Sequence, residues 1–248
     1  MAEHRKQRID QRLVEEGLAP SRAQAADLVR RGCVLVAGAR AIKPGATIAD
    51  DVELALTPGA VTHVSRGSLK LIAALEAFGL SPEGQVALDV GASTGGFTEV
   101  LLTRGATKVY AVDVGRDQLN SRLRTDPRVV SLEATDARRI DETLVPDAVS
   151  AITADVSFIS LTQALPAALV RAAPGAWLAA LVKPQFEAGR AAVGKGGLVR
   201  DEADRQRAIA RVRDFLDAEG WRVLGVIDSP ITGGSGNVEY LIGSRHER

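Results

Sequence analysis

The chain has 248 residues with 31 basic and 31 acidic side chains, so a net charge of about zero identifies no partner until the charges are located. One cysteine, Cys33, excludes an intrachain disulfide or a cysteine zinc cluster, and an aromatic content of 4% argues against a stacking platform for single-stranded nucleic acid. The start, MAEHRKQRID, has no apolar signal core, and the most apolar long window, 164–182, is broken by Pro166, Arg171, Pro174 and Gly175; neither export nor a membrane span is expected, and the location reads as cytoplasmic.

Residues 1–56 read as a small α+β module. Ile9, Leu13, Val14 and Leu18 share one helical face, closed near Gly17; Ser21 then caps a second helix that ends at Gly32. CVLVAG, a turn at Gly38 to Arg40, and ATIADDVELAL read as short strands, with Cys33 a buried apolar filler. Between Arg5 and Lys43 nine basic residues stand against four acidic ones, an excess that either tracks phosphates or lines a solvated helical face. His4, His63 and His246 lie singly in polar surroundings and read as surface residues, so no metal site is expected.

Residues 57–65, with Pro58 and Gly59 and no amphipathic period, read as a linker to a second domain, 66–248. Its first helix carries Leu69, Ile72, Ala73, Leu75 and Phe78 at helical spacing, ends at Gly79 and bears Lys70. QVALDVGASTGGFTEVLL then reads as a strand, a glycine turn and a helix, the place where a doubly wound sheet brings backbone against a cofactor. The turn is Gly91-Ala92-Ser93-Thr94-Gly95-Gly96, with Ser93 where the dinucleotide fingerprint needs its second glycine, so a pyrophosphate would be served poorly. S-adenosylmethionine has no phosphate and asks for slim backbone plus hydroxyls such as Ser93 and Thr94; an ordinary strand-to-helix turn is the alternative. Asp113 follows at the interval for holding a ribose diol, Asp136 either meets an adenine amine or caps a helix, and Phe97 packs either under the cofactor or in the core.

Six further strands follow: KVYAVDV, RVVSLEA, AVSAITADV, GAWLAALVK, WRVLGVIDS and GNVEYLIGS, with helical stretches after Gly95, Asp117, Leu161 and Asp201. This is the βαβ rhythm of an α/β, Rossmann-like sheet of seven mostly parallel strands, and SPITGGSGN is too short for a crossover, so the last two strands should pair antiparallel as in class I methyltransferases. Asp155 and Lys183 end the fourth and fifth strands, and Glu239 lies in the first half of the last, positioned to face Lys183. Each of Lys70, Asp155, Lys183 and Glu239 has a plain structural explanation, but the topology places all four around one pocket. The basic glycine-rich loop 187–200 reads either as a flexible surface loop or as a lid whose Arg190, Lys195 and Arg200 meet RNA phosphates.

Two resemblances sharpen these readings. R-I-D-Q-R-L-V, S-R-A-Q-A-A-D-L-V-R-R-G-C-V-L-V-A-G and Lys43-Pro44-Gly45 resemble the αL RNA-binding module named after ribosomal small-subunit protein four, which implies RNA contacts at Arg22, Arg30 and Arg31. Lys70-Asp155-Lys183-Glu239 resembles the K-D-K-E tetrad of FtsJ-type ribose 2'-O-methyltransferases. VSRGSLKL with Arg66, DVGASTGGFT with Asp89, DVSFISL, VKPQFEAGR, VGKGGLVRD and SGNVEYL are similar to the TlyA family, which joins such a module to an FtsJ-like domain. The resemblance implies S-adenosylmethionine-dependent methylation of cytidine 2'-hydroxyls in ribosomal RNA of one or both subunits, with ribosomal RNA as partner and no stable protein partner or required metal. Basic residues before the first helix and the tail after Gly243 resemble the longer subgroup that modifies both subunits.

Methyl transfer to a neutral hydroxyl asks mainly for alignment, exclusion of water and a proton acceptor. An isolated lysine, with a reference pKa of about 10.4, is protonated near neutrality, whereas burial and a second cation favour the neutral amine. The expectation is Lys183 as base, Lys70 as neighbouring cation and nucleotide contact, and Asp155 and Glu239 as orienting carboxylates. A small-molecule methyltransferase would need neither the basic module nor the tetrad, and a noncatalytic RNA-binding or ribosome-assembly protein would need only the module.

Overall fold

The computed structural model describes residues 6–19, 21–41, 43–57, 63–233 and 236–247; His4, Arg5 and residues 58–62 of the expected linker lie outside this set. The chain divides into two compact units, Met1–Arg66 and Gly67–Arg248.

The first unit runs β1 (Lys6–Arg8), α1 (Ile9–Glu15), α2 (Arg22–Arg30), β2 (Val34–Val36), β3 (Ala39–Arg40), β4 (Thr47–Ala49) and β5 (Leu54–Leu56). Ile9, Leu13, Leu28, Val29 and Val34 form its core, as their helical spacing requires. Ser21 caps α2 by accepting from the Gln24 N–H. β2 pairs antiparallel with β3 and β5. β1 was not expected; three residues carry no periodic signal, and the strand exists through its antiparallel pairing with β4.

The second unit opens with α3 (Ser68–Phe78), closed by Gly79 in the left-handed conformation. There follow β6 (Val86–Val90), α4 (Gly96–Thr103), β7 (Lys108–Val112), α5 (Ser121–Arg124), β8 (Val129–Leu132) and β9 (Val149–Ala154). The remainder is α6 (Leu161–Ala164), α7 (Pro166–Leu169), β10 (Ala172–Val182), α8 (Pro184–Glu187), α9 (Glu202–Ala218), β11 (Trp221–Asp228) and β12 (Tyr240–His246). Seven strands form one sheet in the order β11-β12-β10-β9-β6-β7-β8. The five from β10 to β8 are parallel, while β12 runs antiparallel between β10 and β11. The topological switch therefore falls between β6 and β9, and ligands bind at the carboxyl ends of such strands.

Three local expectations are corrected. The helix after Asp117 is only the four residues of α5. β10 begins at Ala172 rather than Gly175, and its register with β9 shifts between Ala172 and Trp177, where the exposed Pro174 and Gly175 interrupt regular pairing. The last strand starts at Tyr240 rather than Gly236; the Asn237 carbonyl accepts from the Gly233 N–H instead of from a neighbouring strand. Glu239 thus precedes the strand instead of lying within its first half.

Candidate active site

β6 delivers the glycine turn to the switch point. Gly91 has φ +85, and a Cβ there would lie 2.6 Å from the Asp155 carbonyl oxygen at the end of β9. Only glycine lets the two strand ends approach this closely. Gly95, at φ +96, leaves room for Leu123, whose Cδ1 would stand 2.2 Å from an added Cβ. Beneath the turn Asp89 is fully buried and accepts from Thr98 Oγ1 at 2.7 Å and Thr153 Oγ1 at 2.9 Å. Burial, partly offset by these two hydroxyls, pushes its carboxyl up to about 6.

A cleft of about 600 Å³ opens over this edge, and Gly91, Ser93, Asp113, Asp136 and Asp155 line it. Asp113 Oδ2 accepts from the Ser93 N–H at 2.8 Å and Oδ1 from the Gly115 N–H at 2.7 Å. A carboxylate offers about four acceptor sites, so capacity for a diol remains. Asp136 lines the cleft and also caps the turn at Ala137–Arg139, accepting from the Arg138 N–H. The Arg138 guanidinium grips the same carboxylate and holds it down at about 2, so an adenine amine would share Asp136 with Arg138. The other expected cofactor residues do not line the cleft: Ala92, Gly95, Gly96 and Phe97 are buried, Thr94 is exposed, and Asp89 lies under the turn. Phe97 is buried, which both of its alternatives require, and Asp89 supports the turn through Thr98.

Lys70, Asp155, Lys183 and Glu239 come together. Lys70 Nζ lies 2.7 Å from Glu239 Oε2 and 3.9 Å from Asp155 Oδ2, and Lys183 Nζ lies 2.7 Å from Asp155 Oδ1. The last contact is an ion pair whose angles fall short of a hydrogen bond, leaving Asp155 Oδ1 without a hydrogen-bond donor. Lys183 does donate to Ser157 Oγ at 2.7 Å. Glu239 therefore faces Lys70, not Lys183 as expected, and the carboxylates alternate with the amines. Buried charge arranged this way is mutually compensated. Asp155 lines the cleft, whereas Lys70, Lys183 and Glu239 stand behind it.

Sequence reasoning missed Ser157, Thr98, Thr153, Glu187 and Asn237. Glu187, 2% exposed, accepts from Ser160 Oγ at 2.5 Å and the Leu161 N–H at 2.7 Å, tying the segment after Lys183 to the one after Asp155; burial raises its carboxyl. Asn237 is buried and bonds both the Val199 N–H and the Gly197 carbonyl, anchoring the end of the glycine-rich loop. Thr153 had a signal, a hydroxyl inside an apolar strand; Glu187, at the end of the short α8, and Asn237, in the segment before β12, had none.

Of the expected RNA contacts, Arg30, Arg66, Arg190, Lys195 and Arg200 are exposed. Arg22 is exposed too, but pairs with Asp10 at 3.2 Å. Arg31 is mostly covered, paired with Asp27 at 3.7 Å and donating to Cys33 Sγ. Part of the basic excess is structural: buried Arg12 donates to the Ala49 and Val52 carbonyls, and Arg8 grips Asp10, lowering that carboxyl to about 2. Cys33 packs against the core of the first unit but is half-buried rather than fully so, and His246 stacks on Trp221 at 5.1 Å rather than standing free. Among the described residues no cluster of metal ligands occurs, and no helix is long and apolar enough to cross a membrane.

Residues 63–246 match the FtsJ-like methyltransferase family and residues 7–53 the S4 domain. A 16S/23S rRNA (cytidine-2'-O)-methyltransferase of Mycobacterium tuberculosis, TlyA, is 48% identical over 239 residues, 96% of this chain and 89% of that protein. Hemolysin A of Brachyspira hyodysenteriae is 40% identical over 94% of this chain and 98% of its own length. The solved structure of a hemolysin-named protein from Streptococcus thermophilus superposes with a TM-score of 0.74 at 42% identity, covering 98% of this chain and 90% of that one. With its seven-stranded sheet, its K-D-K-E cluster and these similarities, the chain belongs to the FtsJ-like methyltransferase family, in the TlyA group that adds an S4 domain.

Proposed function

We propose that the chain transfers a methyl group from S-adenosylmethionine to the 2'-hydroxyl of cytidine in ribosomal RNA of one or both subunits. The observation that carries this reading is the alternating Glu239, Lys70, Asp155, Lys183 cluster at the edge of the cleft. The cleft fits the cofactor: Gly91, on its wall, lets the turn close against the Asp155 carbonyl with slim backbone, Asp113 keeps acceptor sites for a ribose, and the walls reach Asp136 for the adenine side. When bound, the cofactor supplies an electrophilic methyl group on a sulfonium.

The remaining work falls to the chain. Lys183 takes the proton released from the ribose oxygen, and Asp155, 2.7 Å away, holds the ammonium that results. Lys70 fixes the other face of Asp155 and is itself fixed by Glu239. Burial of both amines keeps bulk water off the transfer. The S4 unit supplies affinity for structured RNA through exposed cations such as Arg22 and Arg30, aided by Arg190, Lys195 and Arg200 on the loop before α9. Membrane lysis, which the hemolysin-named relatives bring to mind, has no support in a long apolar helix among the described residues.

The test is tritiated methyl transfer to purified small and large subunits that lack native methylation, beside the Lys183→Met protein. Expected is incorporation that maps to ribose and falls by about 10²-fold or more in the variant, with cofactor affinity retained. No incorporation into either subunit, despite cofactor binding, would overturn the reading in favour of a small-molecule substrate or a binding role.

A further inference from the structure

The cluster of four charged residues does not end at Lys183. Its amine lies 2.7 Å from Ser157 Oγ, and the two groups differ in access: Lys183 is 8% exposed and absent from the cleft walls, whereas Ser157 is exposed and forms part of them. Asp155, the other wall residue touching Lys183, has no proton to donate when ionised and already has both oxygens facing lysine amines. From the cleft, the group through which Lys183 is reached is thus a hydroxyl, which both donates and accepts.

We propose that Ser157 is a fifth catalytic residue, the hydroxyl that relays the proton from the ribose 2'-oxygen to Lys183. This inference rests on the methyltransferase reading above. The Lys183 amine donates to Ser157 Oγ in the structure. A neutral amine has two N–H groups and one lone pair; with Asp155 taking one N–H, the Ser157 O–H turns into the lone pair and frees its oxygen to accept. In the transfer, the ribose oxygen bonds to the methyl carbon as the carbon–sulfur bond breaks, and the electron pair stays on sulfur. The 2'-proton passes to Ser157 Oγ while the Ser157 proton passes to Lys183 Nζ. The products are a methyl ether, a neutral thioether, an unchanged serine and a lysine ammonium beside Asp155.

The relay geometry is braced on both sides. Ser160 and Leu161, just after Ser157, are bound by Glu187, just after Lys183, so a buried carboxylate fixes the distance between the two carrying segments. Phe158 holds φ +66, a left-handed backbone that costs a bulky residue about 1 kcal/mol or more and is kept where surrounding structure imposes it.

The experiment is single-turnover, rapid-quench methyl transfer to unmethylated ribosomal subunits in H2O–D2O mixtures, with native, Ser157→Ala and Lys183→Met proteins. Calorimetry with S-adenosylmethionine runs alongside. Expected for Ser157→Ala is a rate about 10²-fold to 10⁴-fold lower, the range of one lost proton-transfer group, with cofactor affinity within about threefold of native. The native rate plotted against deuterium fraction should bow, reporting two protons in motion, and the Ser157→Ala plot should be straight. A Ser157→Ala rate within about threefold of native, a retained bow, or an affinity loss equal to the rate loss would overturn the relay. A Lys183→Met protein that keeps the native rate overturns the methyltransferase assignment of the base and the relay together. Loss of activity in Lys183→Met beside a native-like Ser157→Ala removes the relay alone.

Discussion

Replacing Asp89 with Asn takes a charge from beneath the cofactor turn while keeping its shape. The side chain has no exposed surface, and Thr98 and Thr153 are its hydroxyl donors. Desolvation outweighs them and raises the carboxyl from 3.8 to about 6. Between these two values the folded protein holds a proton that the unfolded chain has released. The stability this proton confers is fully present below pH 3.8 and is lost as pH rises through about 6. A gap of about 2 units at about 1.4 kcal/mol each gives a loss of about 3 kcal/mol. Asn does not ionise; its oxygen accepts from one threonine and its N–H meets the other after that hydroxyl rotates. The unfolding free energy of Asp89→Asn relative to native should therefore shift by about 2 kcal/mol in the variant's favour between pH 4 and pH 7, most of the full span. Urea titrations followed by tryptophan fluorescence report the relevant unit, because Trp177 and Trp221 both lie in it. Other groups titrate alike in both proteins and cancel in the difference. Profiles that stay parallel within about 0.5 kcal/mol would refute the reasoning.

Gly91→Ala places a Cβ 2.6 Å from the Asp155 carbonyl oxygen at φ +85, so it should destabilise the second unit by about 2–3 kcal/mol and cut cofactor affinity more than tenfold; native-like calorimetry would count against the turn as the cofactor cradle. Glu239→Gln removes the charge that holds Lys70 at 2.7 Å, letting that amine move toward Asp155 and compete with Lys183, so the loss should fall on the single-turnover rate, by about tenfold or more, with cofactor affinity intact. Equal losses in both would indicate general disruption instead. Changing Arg190, Lys195 and Arg200 together to Ala should weaken RNA binding and lower the slope of log affinity against log salt by about 2, at about 0.7 per phosphate contact. An unchanged slope would remove the loop from the RNA interface.

The sheet was legible because its signals are local: five-residue apolar runs ending in glycine or aspartate, with helical spacing between them, leave few alternatives. The antiparallel last pair was legible from a connection too short for a crossover. Its place between β10 and β11 was legible as well, because the reading that sets Glu239 opposite Lys183 already puts the last strand next to the fifth. A sequence motif marks the whole turn without sorting its residues: Gly91 and Ser93 line the cleft, while Ala92 and Gly95 are buried. In the S4 unit charge counting failed at Arg12 and Arg31, because a count cannot distinguish a guanidinium that binds carbonyls or carboxylates of its own chain from one left for phosphate.

The pairing of Glu239 with Lys70 shows why topology placed the cluster without settling its contacts. Tyr240 pairs with Val182, so continuing the two strands by one residue sets Glu239 beside Lys183, the arrangement the sequence suggested. An antiparallel strand is needed for this, since a parallel one would bring its far end to the carboxyl edge. The helix α3 changes the outcome. Its Phe78 ring lies over Gly243, where a Cβ would come within 2.4 Å, and this packing of α3 on β12 brings Lys70 to the same edge. Two amines and two carboxylates then share a buried space, and the arrangement that separates like charges alternates them. Glu239 takes the amine of α3, Asp155 stands between the two amines, and Lys183 is left with a neutral hydroxyl, Ser157, on its cleft side. That neutral neighbour distinguishes Lys183 from Lys70, whose two close partners are both carboxylates, and it is why the proton is assigned to Lys183.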